Sequence, residues 1–185
     1  MQRGLFCLEE LILEHLSEGE SLHREYLGNL RLRYSILEKS IDGLRGRGVG
    51  DIMRMRLPPE EKLRCAELYA RIRLHEIFFD SFSQNAVMGG RRYKTVDRCF
   101  GSTSALVYEL FRRARDEGEG FLCIYSRANK IEIKRGASSA ELLIVGEPAL
   151  CIDLWEHAYF PDYGFDRERY LRSSLERLDY ARLDV

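Results

Sequence analysis

The chain has 185 residues, enough for one compact unit or two small halves sharing a core. Charged side chains make up 32% of it, yet they nearly cancel to a net charge of -1, which argues against nucleic acid or an anionic membrane surface as partner. No apolar run approaches the roughly 20 residues that span a bilayer, and the first seven residues are too short an apolar start, and too soon acidic, for a secretory signal.

Taken in chain order, residues 8–44 predict one long helix that Gly19 can break, where Ser17 or Ser21 could cap a second segment. His23, Leu27, Leu30, Tyr34, Leu37, Ile41 and Leu44 follow at steps of three and four, so they share one stripe, the core face, with His23 its polar member. Gly43, Gly46, Gly48 and Gly50 mark a flexible connection among four arginines (45, 47, 54 and 56). These, like Arg91, Arg92 and Lys94, read as solvated surface. Pro58 and Pro59 followed by Glu60 and Glu61 open a second helix, expected to run to about Phe82. Its apolar face includes Leu68, Ile72, His75, Phe79 and Phe82.

Residues 95–116 carry Leu106, Val107, Leu110, Phe111 and Ala114 at helical spacing. Strand-like runs follow at 121–126, 131–134 and 142–152, the first two expected to be joined by a hairpin turn at residues 127–130. Asp166 caps a last helix to about Leu178. The fold class is therefore α+β: a long N-terminal helical hairpin (residues 1–88), then an α/β half (residues 89–185) with a small three-stranded antiparallel sheet flanked by helices. Five cysteines, at positions 7, 65, 99, 123 and 151, form no CxxC pair. Cys65, Cys123 and Cys151 sit among apolar neighbours and read as small buried thiols. Such usage suits a reducing compartment, so the cytoplasm is the expected location.

The chemistry concentrates in four histidines, at 15, 23, 75 and 157. In the segment Asp153-Leu154-Trp155-Glu156-His157-Ala158-Tyr159, Asp153 and His157 straddle a strand end and can point an oxygen and a nitrogen at one metal ion. His75 could supply another nitrogen from mid-helix, in Arg71-Ile72-Arg73-Leu74-His75-Glu76-Ile77-Phe78-Phe79. Read singly, His75 is a hydrogen-bonded core histidine, Asp153 a helix cap and His157 a surface residue. Read together, in this order and around Trp155 and Glu156, they form a signature.

That signature resembles the iron/manganese superoxide dismutases, from about residue 8 to the end. The resemblance implies a mononuclear iron or manganese ion, one per chain, held by His75, Asp153, His157 and a fourth ligand from the first helix. It implies disproportionation of superoxide to dioxygen and hydrogen peroxide, and a homodimer in which Glu156 of one copy bonds His157 of the other. In the first helix, two registers compete. One aligns Tyr26-Leu27-Gly28-Asn29-Leu30 with the family's motif, making Tyr26 the channel tyrosine and Glu18 the ligand. The other makes His23 the ligand, favoured by its place on the apolar stripe, and puts Arg31 at the channel position. His15 lies too far upstream. The resemblance also has gaps. The family's outer-sphere glutamine is Arg71 or Ala137 here, its sheet tryptophan is Phe121, and its tyrosine three after the ligand histidine is Phe160. These losses set an alternative beside the dismutase: a non-catalytic scaffold or interaction module of the same fold. A different metal-dependent redox role on the same ligands is a third expectation.

Overall fold

The computed structural model describes residues 17–82, 93–116, 118–136 and 138–184. Helix α1 (Glu18–Ser40) begins where Ser17 Oγ accepts the Glu20 N–H at 3.1 Å. The expected extension over residues 8–16, the expected boundary between residues 88 and 89, and His15 fall outside the described residues. The helix ends at Ser40 rather than near residue 44. Ile41 is already extended, and Gly43 and Gly46 turn the chain with φ of +74°. Where the glycines suggested only a connection, Val49 and Ile52 are buried and organise a short helix, α2 (Val49–Arg54). Helix α3 (Pro59–Asp80) opens on its proline and two acids and stops two residues short of Phe82.

The second half holds α4 (Lys94–Phe100) and α5 (Thr103–Asp116), two helices where residues 95–116 predicted one. Gly101, at φ +81°, accommodates the left-handed break between them. Strands β1 (Phe121–Arg127) and β2 (Lys130–Arg135) form the expected hairpin. Its turn residues Ala128 and Asn129 both have positive φ, the type I′ arrangement that matches strand twist. The apolar run 142–152 is not one strand. Its start belongs to α6 (Ser139–Ile144), and only β3 (Leu150–Asp153) is extended. Capping decides this: Ser138 Oγ accepts the Glu141 N–H, and the Glu67 carboxylate accepts the N–H groups of Ser139 and Ala140. Burial pushes the Glu67 carboxyl up, but these bonds, with that from Ser138 Oγ, outweigh it and hold it below its ordinary value. Beyond β3 lie α7 (Glu156–Tyr163), absent from the sequence expectation, then α8 (Arg167–Arg177) and a 3-10 turn (Tyr180–Leu183). Asp166 caps α8 as expected, accepting the Arg169 N–H at 3.0 Å.

The three strands run in the order β2-β1-β3, antiparallel throughout. Their period of two sorts side chains onto two faces. Leu122, Ile124, Leu150 and Ile152 pack with Leu106, Leu110, Leu171 and Leu175 from α5 and α8. Phe121, Cys123, Tyr125 and Cys151 pack instead on Leu74, Ile77 and Phe78 of α3. The other side of α3 shares a core with Leu30 and Tyr34 of α1 and Ile52 of α2. Helix α3 is therefore sandwiched between α1 and the sheet, and Asp153, two residues past Cys151, points into that layer. No helix among the described residues is long and apolar enough to cross a membrane.

Candidate metal centre

Four elements converge at the open end of β3. Helix α3 delivers His75 from its C-terminal third, β3 ends on Asp153, the first turn of α7 carries His157, and the second turn of α1 carries His23. The Oδ2 oxygen of Asp153 lies 3.1 Å from His23 Nε2, 3.3 Å from His75 Nε2 and 3.2 Å from His157 Nε2. The Nε2 atoms of His75 and His157 are themselves 3.2 Å apart. One donor atom from each residue falls within 4.8 Å of the other three. Asp153, His75 and His23 are 0%, 1% and 2% exposed, and the His157 side chain is 28% exposed.

Hydrogen bonds fix which atoms face the centre. His75 Nδ1–H donates to the Arg71 carbonyl at 2.6 Å, so its Nε2 presents a lone pair. Burial pushes the His75 pKa down to about 4, against the pull of Asp153, which keeps the ring neutral at pH 7. Asp153 Oδ1 accepts the Trp155 N–H at 2.9 Å, turning Oδ2 inward. Tyr170 O–H donates to the Asp153 carbonyl at 2.7 Å and anchors the strand end from α8. Burial alone would raise the Asp153 carboxyl. Hydrogen bonds from His157 and His23, with the His75 field, overcome it and hold the group far below the usual carboxylate range.

These residues suit a cation. The His75 Nε2 lone pair faces the Asp153 carboxylate oxygen at 3.3 Å, two acceptors with no proton of their own between them, and a cation shared by the pair relieves that repulsion. Donors about 2.1 Å from a common ion stand about 3 to 4 Å apart, and the four contacts of 3.1 to 3.3 Å among these residues fall in that range. Three imidazoles and one carboxylate suit iron, manganese or zinc better than calcium or magnesium. The walls are aromatic. Phe121 meets His75 edge-on at 5.0 Å between ring centroids, and Phe78 and Phe79 each lie 5.0 Å from His23.

The two registers for the first helix are not exclusive in space. His23 reaches the cluster, and Tyr26, three residues on and so on the same side of the helix, also faces it. The Tyr26 ring lies 4.3 Å from that of His157 and 5.4 Å from that of His75. Glu18 is exposed and outside the cluster, and Arg31 pairs with Glu76 at 2.7 Å. The Arg71 side chain turns aside, its Nε 3.4 Å from Glu67 and its guanidinium 5.6 Å from the Trp155 ring. Ala137 lies outside the described residues. Phe160 is exposed, its ring 5.3 Å from that of Phe165. The sequence reading missed the Arg71 carbonyl and the Tyr170 hydroxyl. A carbonyl has no letter of its own, and Tyr170 follows Asp153 by 17 residues with no local pattern.

Comparison with known proteins points the same way. The sequence pattern of "Iron/manganese superoxide dismutases, C-terminal domain" matches residues 89–184. The chain is 29% identical over 113 residues to the superoxide dismutase [Fe] of Cupriavidus metallidurans, covering 59% of this chain and 57% of that protein. It is 30% identical over 122 residues to the superoxide dismutase [Fe] of Babesia bovis, with 60% of each covered. Against the chloroplastic superoxide dismutase [Fe] 1 of Arabidopsis thaliana, identity is 24% over 160 residues, covering 84% of this chain and 73% of the relative. The chain thus spans little more than half the length of several curated relatives it matches. A matched pattern covering more than half of the chain, on an α+β fold that ends a strand at Asp153, places this protein in the iron/manganese superoxide dismutase family.

Proposed function

We propose that the protein binds one iron or manganese ion through His23, His75, Asp153 and His157 and disproportionates superoxide. The observation that carries the reading is the convergence of three imidazole Nε2 atoms on one carboxylate oxygen, in a pocket where the His75 tautomer is already set for coordination. When bound, the ion supplies one-electron chemistry between adjacent valence states. One superoxide is oxidised to dioxygen. A second takes that electron and two protons and becomes hydrogen peroxide.

The chain's own residues supply the rest. Asp153 brings negative charge that favours the higher valence, while the aromatic walls exclude bulk water. Tyr26, half-buried beside His157, is positioned to bring a proton from solvent. His157 keeps an exposed edge and Glu156 is exposed. In a homodimer, Glu156 of one copy would bond the second nitrogen of the other's His157 and fix its tautomer. The reading is tested by measuring metal per chain by mass spectrometry on protein prepared without chelator, together with inhibition of cytochrome c reduction by superoxide. About one iron or manganese per chain with inhibition is expected. No bound metal would overturn the proposal.

One observation favours a second reading, a family member that holds metal without turnover. Arg71 occupies the position where the resemblance expects a glutamine on α3, and its guanidinium is engaged by Glu67 and Trp155. A stoichiometric ion with no superoxide consumption would select this reading.

A further inference from the structure

Glycine is a poor helix former, yet Gly19 stands in the first turn of α1. It is buried, and a Cβ built on it would lie 2.5 Å from Asp162 Oδ2 and 2.7 Å from Asp162 Cγ. The missing methyl makes room for a carboxylate from α7. Asp162 Oδ1 accepts the Gly19 N–H at 2.9 Å, and Asp162 Oδ2 accepts the Ser17 hydroxyl at 2.5 Å. Ser17 Oγ in turn accepts the Glu20 N–H. The carboxylate thus closes the open end of α1, where N–H groups lack helical partners and the dipole favours an anion. The helix's own nearby acid does not do this: Glu20 pairs with Arg24 at 2.9 Å.

The clamp has a particular place in the molecule. His23 lies four residues beyond Gly19, one turn along the same face of α1. His157 lies five residues before Asp162 in α7. The rings of His23 and His157 are 4.9 Å apart, and neither comes from the sheet or from α3. Asp162 therefore ties together the two helices that bring the outer pair of donors.

We propose that Asp162 is a positioning residue of the metal centre: by clamping the first turn of α1 to α7 it sets the spacing of His23 and His157, and so the affinity for the ion. This rests on the metal reading above. A carboxylate that merely stabilises the surface would change folding and leave affinity alone.

The experiment titrates metal-free, full-length protein with manganese(II), following free ion by electron paramagnetic resonance, and with cobalt(II), following its visible absorption. Thermal midpoints of the metal-free forms are measured in parallel. Asp162→Ala and Gly19→Ala are expected to weaken manganese binding about tenfold and to alter the cobalt spectrum. Asp162→Asn keeps an acceptor for the Gly19 N–H and is expected to recover most of that loss. Asp166→Ala, which removes the comparable cap of α8, is expected to lower the midpoint and leave affinity unchanged. Unchanged affinity in Asp162→Ala, whatever its midpoint, overturns the clamp alone. If that variant does not fold, unchanged affinity in Gly19→Ala does so. Wild-type protein that binds neither ion overturns the metal reading, and the clamp with it.

Discussion

His75 and Asp153 reach the centre from the packed middle of the molecule, whereas His23 and His157 reach it from two helices on its outer side. The inner pair is held by short backbone hydrogen bonds, His75 to the Arg71 carbonyl and Asp153 to the Trp155 N–H. It is also walled by the core that α3 shares with the sheet. The outer pair leans on helix packing, and one of its members keeps an exposed edge. The difference separates two jobs. On the metal reading, loss of an inner donor would decide whether an ion is held at all. The outer donors would tune its affinity through their spacing and, with Tyr26 beside them, set how the site meets solvent and substrate.

Removing the charge from the inner pair should have the largest effect. In Asp153→Asn, an amide replaces the buried carboxylate around which three imidazoles gather. Metal affinity is expected to fall by more than the roughly hundredfold that loss of a residue hydrogen-bonded to a ligand can cost. Competitive titration against a chelator of known affinity measures it. Retention of metal within tenfold of wild type would break the division between inner and outer donors.

The outer side is tested by Tyr26→Phe. The ring that lies on His157 is kept and the proton is lost. Affinity is expected to stay within about threefold, and superoxide turnover to fall by about a hundredfold, the lower end of what a positioned proton donor contributes. Metal titration and pulse radiolysis on the same sample separate the two. A parallel loss of affinity would assign Tyr26 to the inner task.

Both inner donors, and His157 of the outer pair, are legible in the sequence. Asp153 and His157 stand four apart at the end of an apolar run, and His75 sits amid aromatic residues, so local letters sufficed for three donors. His23 could be placed only by its stripe with Leu27 and Leu30, because local motif letters favoured Tyr26 and a ligand at Glu18. Both His23 and Tyr26 face the centre, since residues three apart on a helix share a side. The sequence expectation for residues 142–152 went astray because hydrophobicity alone cannot separate a short buried helix from a strand. What makes 139–144 helical is the local Ser138 cap together with a carboxylate from Glu67, 72 residues away from Ser139. Long-range caps of this kind, Glu67 on α6 and Asp162 on α1, cannot be named from the position they stabilise: Gly19 marks the space that Asp162 fills but not the residue that fills it.

Arg71→Gln sharpens the comparison from the inner side. Its Nε contact to Glu67 is long and partly exposed, so losing it should cost less than about 1 kcal/mol of stability. A glutamine one turn before His75 can instead reach toward the centre and hydrogen-bond solvent there. Turnover is expected to rise about tenfold at unchanged metal affinity. A variant with no change in rate would show that Arg71 is not what limits the reaction.

The smallest effect is in the metal-free protein, and it again belongs to the inner pair. Burial lowers the His75 pKa from its ordinary 6.5 to about 4. The unfolded chain therefore binds more protons than the folded one between those values, and the neutral ring's stabilising contribution is complete above about pH 6.5 and lost as pH falls toward 4. Asp153, whose pKa is also lowered, contributes in the same sense, and its stabilisation begins to be lost only as pH falls into the usual carboxylate range, below the window of His75. The thermal midpoint of metal-free protein should accordingly drop by several degrees between pH 6.5 and 4.5, and His75→Phe should flatten that slope. Metal-loaded protein should hold its midpoint to lower pH, because protons must displace the ion before they reach His75. A midpoint independent of pH over this window, with and without metal, would mean that His75 is not the buried neutral imidazole its bond to the Arg71 carbonyl describes.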